Sequence, residues 1–140
     1  MRHLQILGTL LLIILIYTSC AQMQIMKTGN KSEDMMIRIS EIQVAPEHLS
    51  EYISILKEEA EASVRFESGV ISIYPMFQKE NLTEIRILEI YADKKAYESH
   101  LQTPHFKHYK TSTLKMVKSL KLIDMNAIDK ETMQLIFKKL

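Results

Sequence analysis

The segment Ser99–Tyr109, SHLQTPHFKHY, holds three of the five histidines in this 140-residue chain. Imidazole is the one side chain whose unperturbed pKa lies near neutrality, and its ring nitrogens also bind metals. Two chemistries are therefore open: ion coordination and proton transfer. His105 and His108 stand three apart after Pro104, a spacing that can aim two rings at one ion. No carboxylate lies between Ser99 and Tyr109, however, and Cys20 is the only cysteine. Catalytic zinc takes at least three protein ligands and structural zinc four. With two candidates and no third, the sequence argues against a dedicated metal centre. His108, beside Lys107 and close to Lys110, is expected in solvent. His100 and His105 flank the break before Pro104, where the chain can turn side chains into a pocket, and they are the candidates for acid–base work. Glu89 sits in the apolar run RILEIYA. If it points inward, desolvation raises its pKa and makes it a proton acceptor; if it points outward, it is an ordinary strand residue. The plain alternative for the histidines is packing and helix capping.

The elements that must position these groups are legible in the periodicity. MMIRISEIQV, 35–44, is rich in β-branched and apolar residues and reads as a strand. Pro46 opens a helix whose apolar stripe is Leu49, Tyr52, Ile53, Leu56, Ala60 and Val64. Glu47, Glu51, Glu58, Glu59 and Glu61 fall mostly outside that stripe, and Ser68-Gly69 ends the helix. VISIYPMFQ and LTEIRILEIYA are strand-like runs around a polar turn at Lys79-Glu80-Asn81, a β-hairpin pattern. Pro75 suits an edge strand or a bulge. Asp93 starts a second helical region. Thr103 and Pro104 reset it as cap and first helical residue, with Phe106, Tyr109, Thr113, Met116 and Val117 following. SLKLIDMNA reads as the last strand. Asp129 caps a tail helix in segment 128–140, with Met133, Ile136, Phe137 and Leu140 on one face. The order strand–helix–strand–strand–helix–strand predicts an α+β, ferredoxin-like βαββαβ domain over 35–127 with a four-stranded antiparallel sheet. Helices cover one sheet face. The other carries residues such as Leu88 and Ile90, too apolar for water, so a homodimer is expected.

The first twenty residues have a separate role. A short basic start is followed by the apolar run LQILGTLLLIILIYTS and then Cys20-Ala21-Gln22, the layout of an export signal. This segment resembles a bacterial lipoprotein signal, which implies lipidation at Cys20 and a location in the cell envelope. Tyr17 departs from the leucine usual three residues before that cysteine, and simple secretion or an uncleaved anchor are the alternatives. Residues 21–34 lack apolar periodicity and read as a tether. The chain has eighteen basic residues; without Arg2 there are seventeen, against seventeen acidic ones. That balance gives no electrostatic reason to expect a nucleic-acid partner.

From Met36 to about Ala127 the chain resembles the antibiotic biosynthesis monooxygenase (ABM) domain family, which includes quinol monooxygenases. The segment RILEIYADKKAYESHLQTPHF carries the likeness: Glu89 two before Tyr91, then Asp93, Ala96, His100, and Thr103 to Phe106. The entry ESGVISIY into the second strand adds to it. The resemblance implies a dimeric α+β barrel that oxidises a quinol or another phenolic or polycyclic aromatic compound with O₂, without metal, flavin or haem. His100 would be proton acceptor or orienter, with His105 and Glu89 beside it. Tyr52, Tyr74, Phe77 and Tyr91 would shape the pocket for a small aromatic substrate. Relatives that degrade haem use an axial histidine, an asparagine and a tryptophan. This chain has no tryptophan, and the axial position falls near Lys110. A non-catalytic ligand-binding or dimerisation module of the same fold is the other reading.

Overall fold

A computed structural model describes residues 35–139. The proposed signal and tether, with Cys20, lie outside the described residues. Strand β1 (Met36–Val44) leads through a 3₁₀ turn at Pro46–His48 into helix α1 (Leu49–Phe66). Strands β2 (Val70–Phe77) and β3 (Glu84–Tyr91) form a hairpin, followed by helices α2 (Lys94–His100) and α3 (Pro104–Thr113). Strand β4 (Val117–Met125) and a tail helix α4 (Lys130–Phe137) complete the chain. The sheet order is β2-β3-β1-β4 with every neighbour antiparallel, which is the ferredoxin-like arrangement expected from the pattern. Pro75 lies on the edge strand β2, where its missing N–H costs no ladder bond.

Local chemistry sets the element boundaries. The Asp93 side chain accepts a hydrogen bond from Ala96 N at 2.8 Å and starts α2. Thr103 Oγ1 accepts one from Phe106 N at 3.3 Å, and Pro104 occupies the first turn of α3. Asp129 caps the tail helix through Glu131 N and Thr132 N. Between β2 and β3 the connection is longer than the three-residue turn expected, because Asn81 Oδ1 accepts from both Thr83 N and Thr83 Oγ1 and holds residues 78–83 in a loop. Gly69 enters β2 so close to α2 that an added Cβ would stand 2.5 Å from Ala96 Cβ.

Strand alternation then sorts the side chains. Arg38, Ser40 and Ile42 of β1 face the helices together with their neighbours' Glu89, Ile87 and Ile85 of β3. The core is built there from Ile42, Val44, Ile73, Ile85, Ile87 and Tyr91 against Tyr52, Leu56 and Ala60 of α1. The α1 stripe differs from expectation at one end. Val64 is exposed, whereas Glu59 and Ser63 are buried. The inward line runs Tyr52, Leu56, Glu59, Ser63, at steps of four, three and four, so a carboxylate occupies a core position. The opposite sheet face carries a cross-strand row of Tyr74, Leu88, Ile39 and Ile123. No described helix is long and apolar enough to cross a membrane.

Candidate active site

Helix α2 ends on His100 and helix α3 begins one short turn later, so His100 and His105 come off the two sides of the junction. Thr103 N and Thr103 Oγ1 both donate to His100 O, which fixes that turn. His100 is buried, with only 2% of its surface exposed, and its ring packs on Phe106 at 4.7 Å and on Tyr91 at 5.5 Å between centroids. Its Nδ1 lies 3.0 Å from Glu67 Oε1, and its Nε2 lies 3.6 Å from Glu59 Oε1. His105 Nε2 meets the same Glu67 oxygen at 2.5 Å. Carboxylate oxygens only accept, so both imidazoles donate to Glu67. The result is a string, Glu59–His100–Glu67–His105, running from the domain interior to the half-buried His105.

The two carboxylates of the string have different environments. Burial pushes the Glu59 carboxyl up, and the Ser63 hydrogen bond with the nearby imidazoles only partly opposes it. Burial also works to raise Glu67, but the hydrogen bonds and charge of His100 and His105 prevail and hold it below the usual carboxylate range. Glu89 points inward, as one of the two sequence-level options had it. It accepts a hydrogen bond from Ser40 Oγ and another from Tyr91 Oη at 2.9 Å. Burial, together with the adjoining Glu89 charge, drives the Tyr91 phenol well above its usual range, so it stays protonated as that donor.

These groups border a half-open cavity of about 220 Å³ between the helices and the sheet. Glu59, Glu89, Tyr91 and His100 lie in its wall, with Ser40 beside Glu89 and Arg38 and Tyr97 toward one end. The rest is mostly apolar, from Ile42, Ile73, Ile87, Phe106 and the β4 residues Leu120 and Leu122, with Tyr109 and the cationic Lys110 of α3 also in the wall. Leu120 and Leu122 are about half exposed, because among the described residues no helix packs extensively on β4, and they form the open side. Arg38 is pinned, 2.7 Å from Asp124 and 4.7 Å over the Tyr97 ring. An apolar cavity of roughly 150 Å³ can hold a benzene ring. The space here suits one substituted ring or a small fused pair.

Of the sequence candidates, His100, Glu89 and Tyr91 line this cavity, and His105 joins them through Glu67. Tyr52 stands one layer back: its hydroxyl meets that of Tyr109 at 2.7 Å, and Tyr109 is the cavity residue. Tyr74 and Phe77 are elsewhere. Tyr74 falls on the opposite sheet face by strand alternation, and Phe77 is exposed at the end of the edge strand. His108 is exposed, as expected. Sequence reasoning missed Glu59 and Glu67. Glu59 shares a helix face with Tyr52, Leu56 and Ser63, but a glutamate on a helix ordinarily reads as solvated. Glu67 lies just past the helix end, where no periodicity marks direction.

The sequence profile described as antibiotic biosynthesis monooxygenase matches residues 35–112. A solved structure from Bacteroides thetaiotaomicron, provisionally named an antibiotic biosynthesis monooxygenase, is 50% identical, covers 70% of this chain and 93% of its own, and superposes with a TM-score of 0.69. A Lactobacillus acidophilus structure provisionally named a monooxygenase is 27% identical, with a TM-score of 0.65 over 66% of this chain and 44% of its own. A Nitrosomonas europaea structure, 17% identical over 67% of this chain and 90% of its own, shares the fold at a TM-score of 0.64. No match was found among curated proteins. The chain belongs to the antibiotic biosynthesis monooxygenase family.

Proposed function

We propose that the cavity oxidises a one- or two-ring phenol or quinol with O₂. The observation that carries this reading is a ring-sized apolar space whose wall holds two carboxylates, Glu59 and Glu89, and a buried imidazole. A carboxylate in that wall takes the proton of a substrate hydroxyl. The phenolate then passes one electron to O₂, and the resulting radical pair combines to form a ring C–O bond. The ring hydroperoxide loses water across its O–O bond. One oxygen atom stays as a carbonyl, and the other leaves as water with the ring and hydroxyl hydrogens. The protein's part is to bind, deprotonate and exclude bulk water, which requires no flavin or haem. Both nitrogens of His100 face carboxylates, which favours the orienting role for it over direct proton abstraction from substrate. Oxygen uptake by metal-stripped protein, tested with a panel of hydroquinones and naphthols, checks the reading. Isotope-labelled O₂ should place one labelled atom in the product; no uptake with any member of the panel refutes turnover and leaves a binding module.

The same reading includes a homodimer and an export route. The row Tyr74, Leu88, Ile39 and Ile123, with Tyr74 exposed and the other three half-buried, supports pairing of this sheet face with a second copy. The signal-like segment and Cys20 support a cell-envelope location, with residues 21–34 as the tether.

A further inference from the structure

The string of carboxylates and imidazoles supplies what the sequence lacked, a third ligand. Glu67 Oε1 lies 3.0 Å from His100 Nδ1 and 2.5 Å from His105 Nε2, and one ligand atom from each of the three residues lies within 4.8 Å of the others. They come from three elements: the residue after α1, the last residue of α2 and the first turn of α3. We infer that these three atoms bind a divalent transition-metal ion, with Glu59 as the group that orients His100.

Donor type, geometry and surroundings agree. Two imidazole nitrogens and one carboxylate oxygen suit zinc, nickel, cobalt or ferrous iron better than calcium or magnesium, which take oxygen ligands. An ion at ordinary bond lengths, about 2.0–2.2 Å, needs its ligand atoms roughly 3 Å apart. The contact of His100 to Glu67 already has that spacing, at 3.0 Å. The one from His105 to Glu67, at 2.5 Å, must open slightly. Glu67 lies just outside the last turn of α1, where its side chain can shift without moving a helix. The ion takes the place of the two N–H protons that now point at Glu67.

His100 adds a second, independent sign. A metal-bound imidazole usually gives its other N–H to a carboxylate, which fixes the ring. With Nδ1 on the ion, Nε2 of His100 faces Glu59 Oε1 at 3.6 Å, and Ser63 Oγ holds that same oxygen at 2.8 Å. Access is provided from the far side. A separate hollow of about 240 Å³ is bordered by His105, His108, Glu58 and Glu59. An ion arriving there reaches His105 without passing through the aromatic cavity. Bound, it clamps the ends of three helices together. This inference goes beyond the oxygenase reading and does not depend on it.

The test is a titration of chelator-treated, tag-free protein with Zn²⁺ by calorimetry and with Co²⁺ by visible absorbance, with no aromatic compound present. One equivalent per chain, a rise in unfolding temperature with Zn²⁺ and a Co²⁺ ligand-field band characteristic of nitrogen and oxygen donors are expected. E67A and H105A should each abolish that equivalent. E59Q, which keeps the size but weakens the orienting acceptor, should reduce affinity about 10- to 100-fold. H108A should bind as the unmodified chain does. Loss of binding in H108A but not in E67A would instead assign it to the surface pair His105 and His108. That outcome, or an equivalent that survives E67A or H105A, or no binding at all, overturns the inference. Circular dichroism without metal identifies any variant that has not folded. Because E67A and H105A alter different elements at partly exposed positions, either one suffices.

Discussion

Replacing His100 with alanine removes the one imidazole that lies between two carboxylates. His100 is 2% exposed and Glu59 4%. In H100A the Glu59 carboxyl keeps only its Ser63 hydrogen bond, and Glu67 keeps only His105. Leaving a buried polar group without its partner costs about 1–3 kcal/mol, and more for a charged group. H100A at neutral pH should therefore lower unfolding free energy by about that amount. The partner test is a cycle with E59L, which removes the charge as well. In H100A/E59L the penalty for the unpaired Glu59 disappears, so the two changes should couple by roughly 1–3 kcal/mol. Urea unfolding of the four proteins, with an unchanged denaturant slope, measures this. If H100A costs less than about 1 kcal/mol and the coupling lies within about 0.5 kcal/mol of zero, the imidazole does not balance Glu59 and the string is only a set of neighbours.

Five further outcomes follow. The Tyr52 and Tyr109 hydroxyls satisfy each other in the interior, so Y109F should cost about 1–3 kcal/mol by stranding the Tyr52 hydroxyl, while Y52F/Y109F should recover part of that loss in thermal unfolding. Burial pushes the Tyr109 phenol up to about 12, opposed by its hydrogen bond with Tyr52 and helped by the charges of Glu59 and Glu89. A raised folded-state value means that its contribution is complete below the ordinary phenol range near 10 and is lost as pH rises through about 12; a near-ultraviolet phenolate titration should show this group silent at pH 10, and a normal titration there refutes its burial. G69A forces a methyl against Ala96 and should destabilise by about 1–3 kcal/mol in chemical denaturation. L88K should shift sedimentation from dimer to monomer, and C20S should move the protein out of the membrane fraction of cells that express it; no change in either assay removes the corresponding proposal.

The framework was legible because its signals are local and repeated. Alternation fixed the strands, Asp93, Thr103 and Asp129 marked helix starts, and Pro75 marked the edge strand. The site was legible only in part, for physical reasons. His100, His105 and Glu89 stood out as polar groups in or beside apolar runs. Glu59 was hidden because a glutamate on a helix is usually solvated, and the apolar residues around it suggested a stripe passing to Val64. Glu67 lies beyond the helix, and only tertiary packing brings it to two histidines more than thirty residues away. The resemblance puts Tyr74 and Phe77 in the pocket, but parity puts Tyr74 on the other face, and Phe77 ends the strand outside helix cover.

Oxygen consumption is the most direct measurement, run on metal-stripped protein with hydroquinones and naphthols beside E89Q and E59Q. Substrate-dependent uptake with one labelled oxygen retained in the product, and a fall of at least about tenfold in one of the two variants, is the expected result. Uptake that is unaffected by both substitutions, or absent while the rings still bind in the cavity, contradicts proton removal by its carboxylate wall.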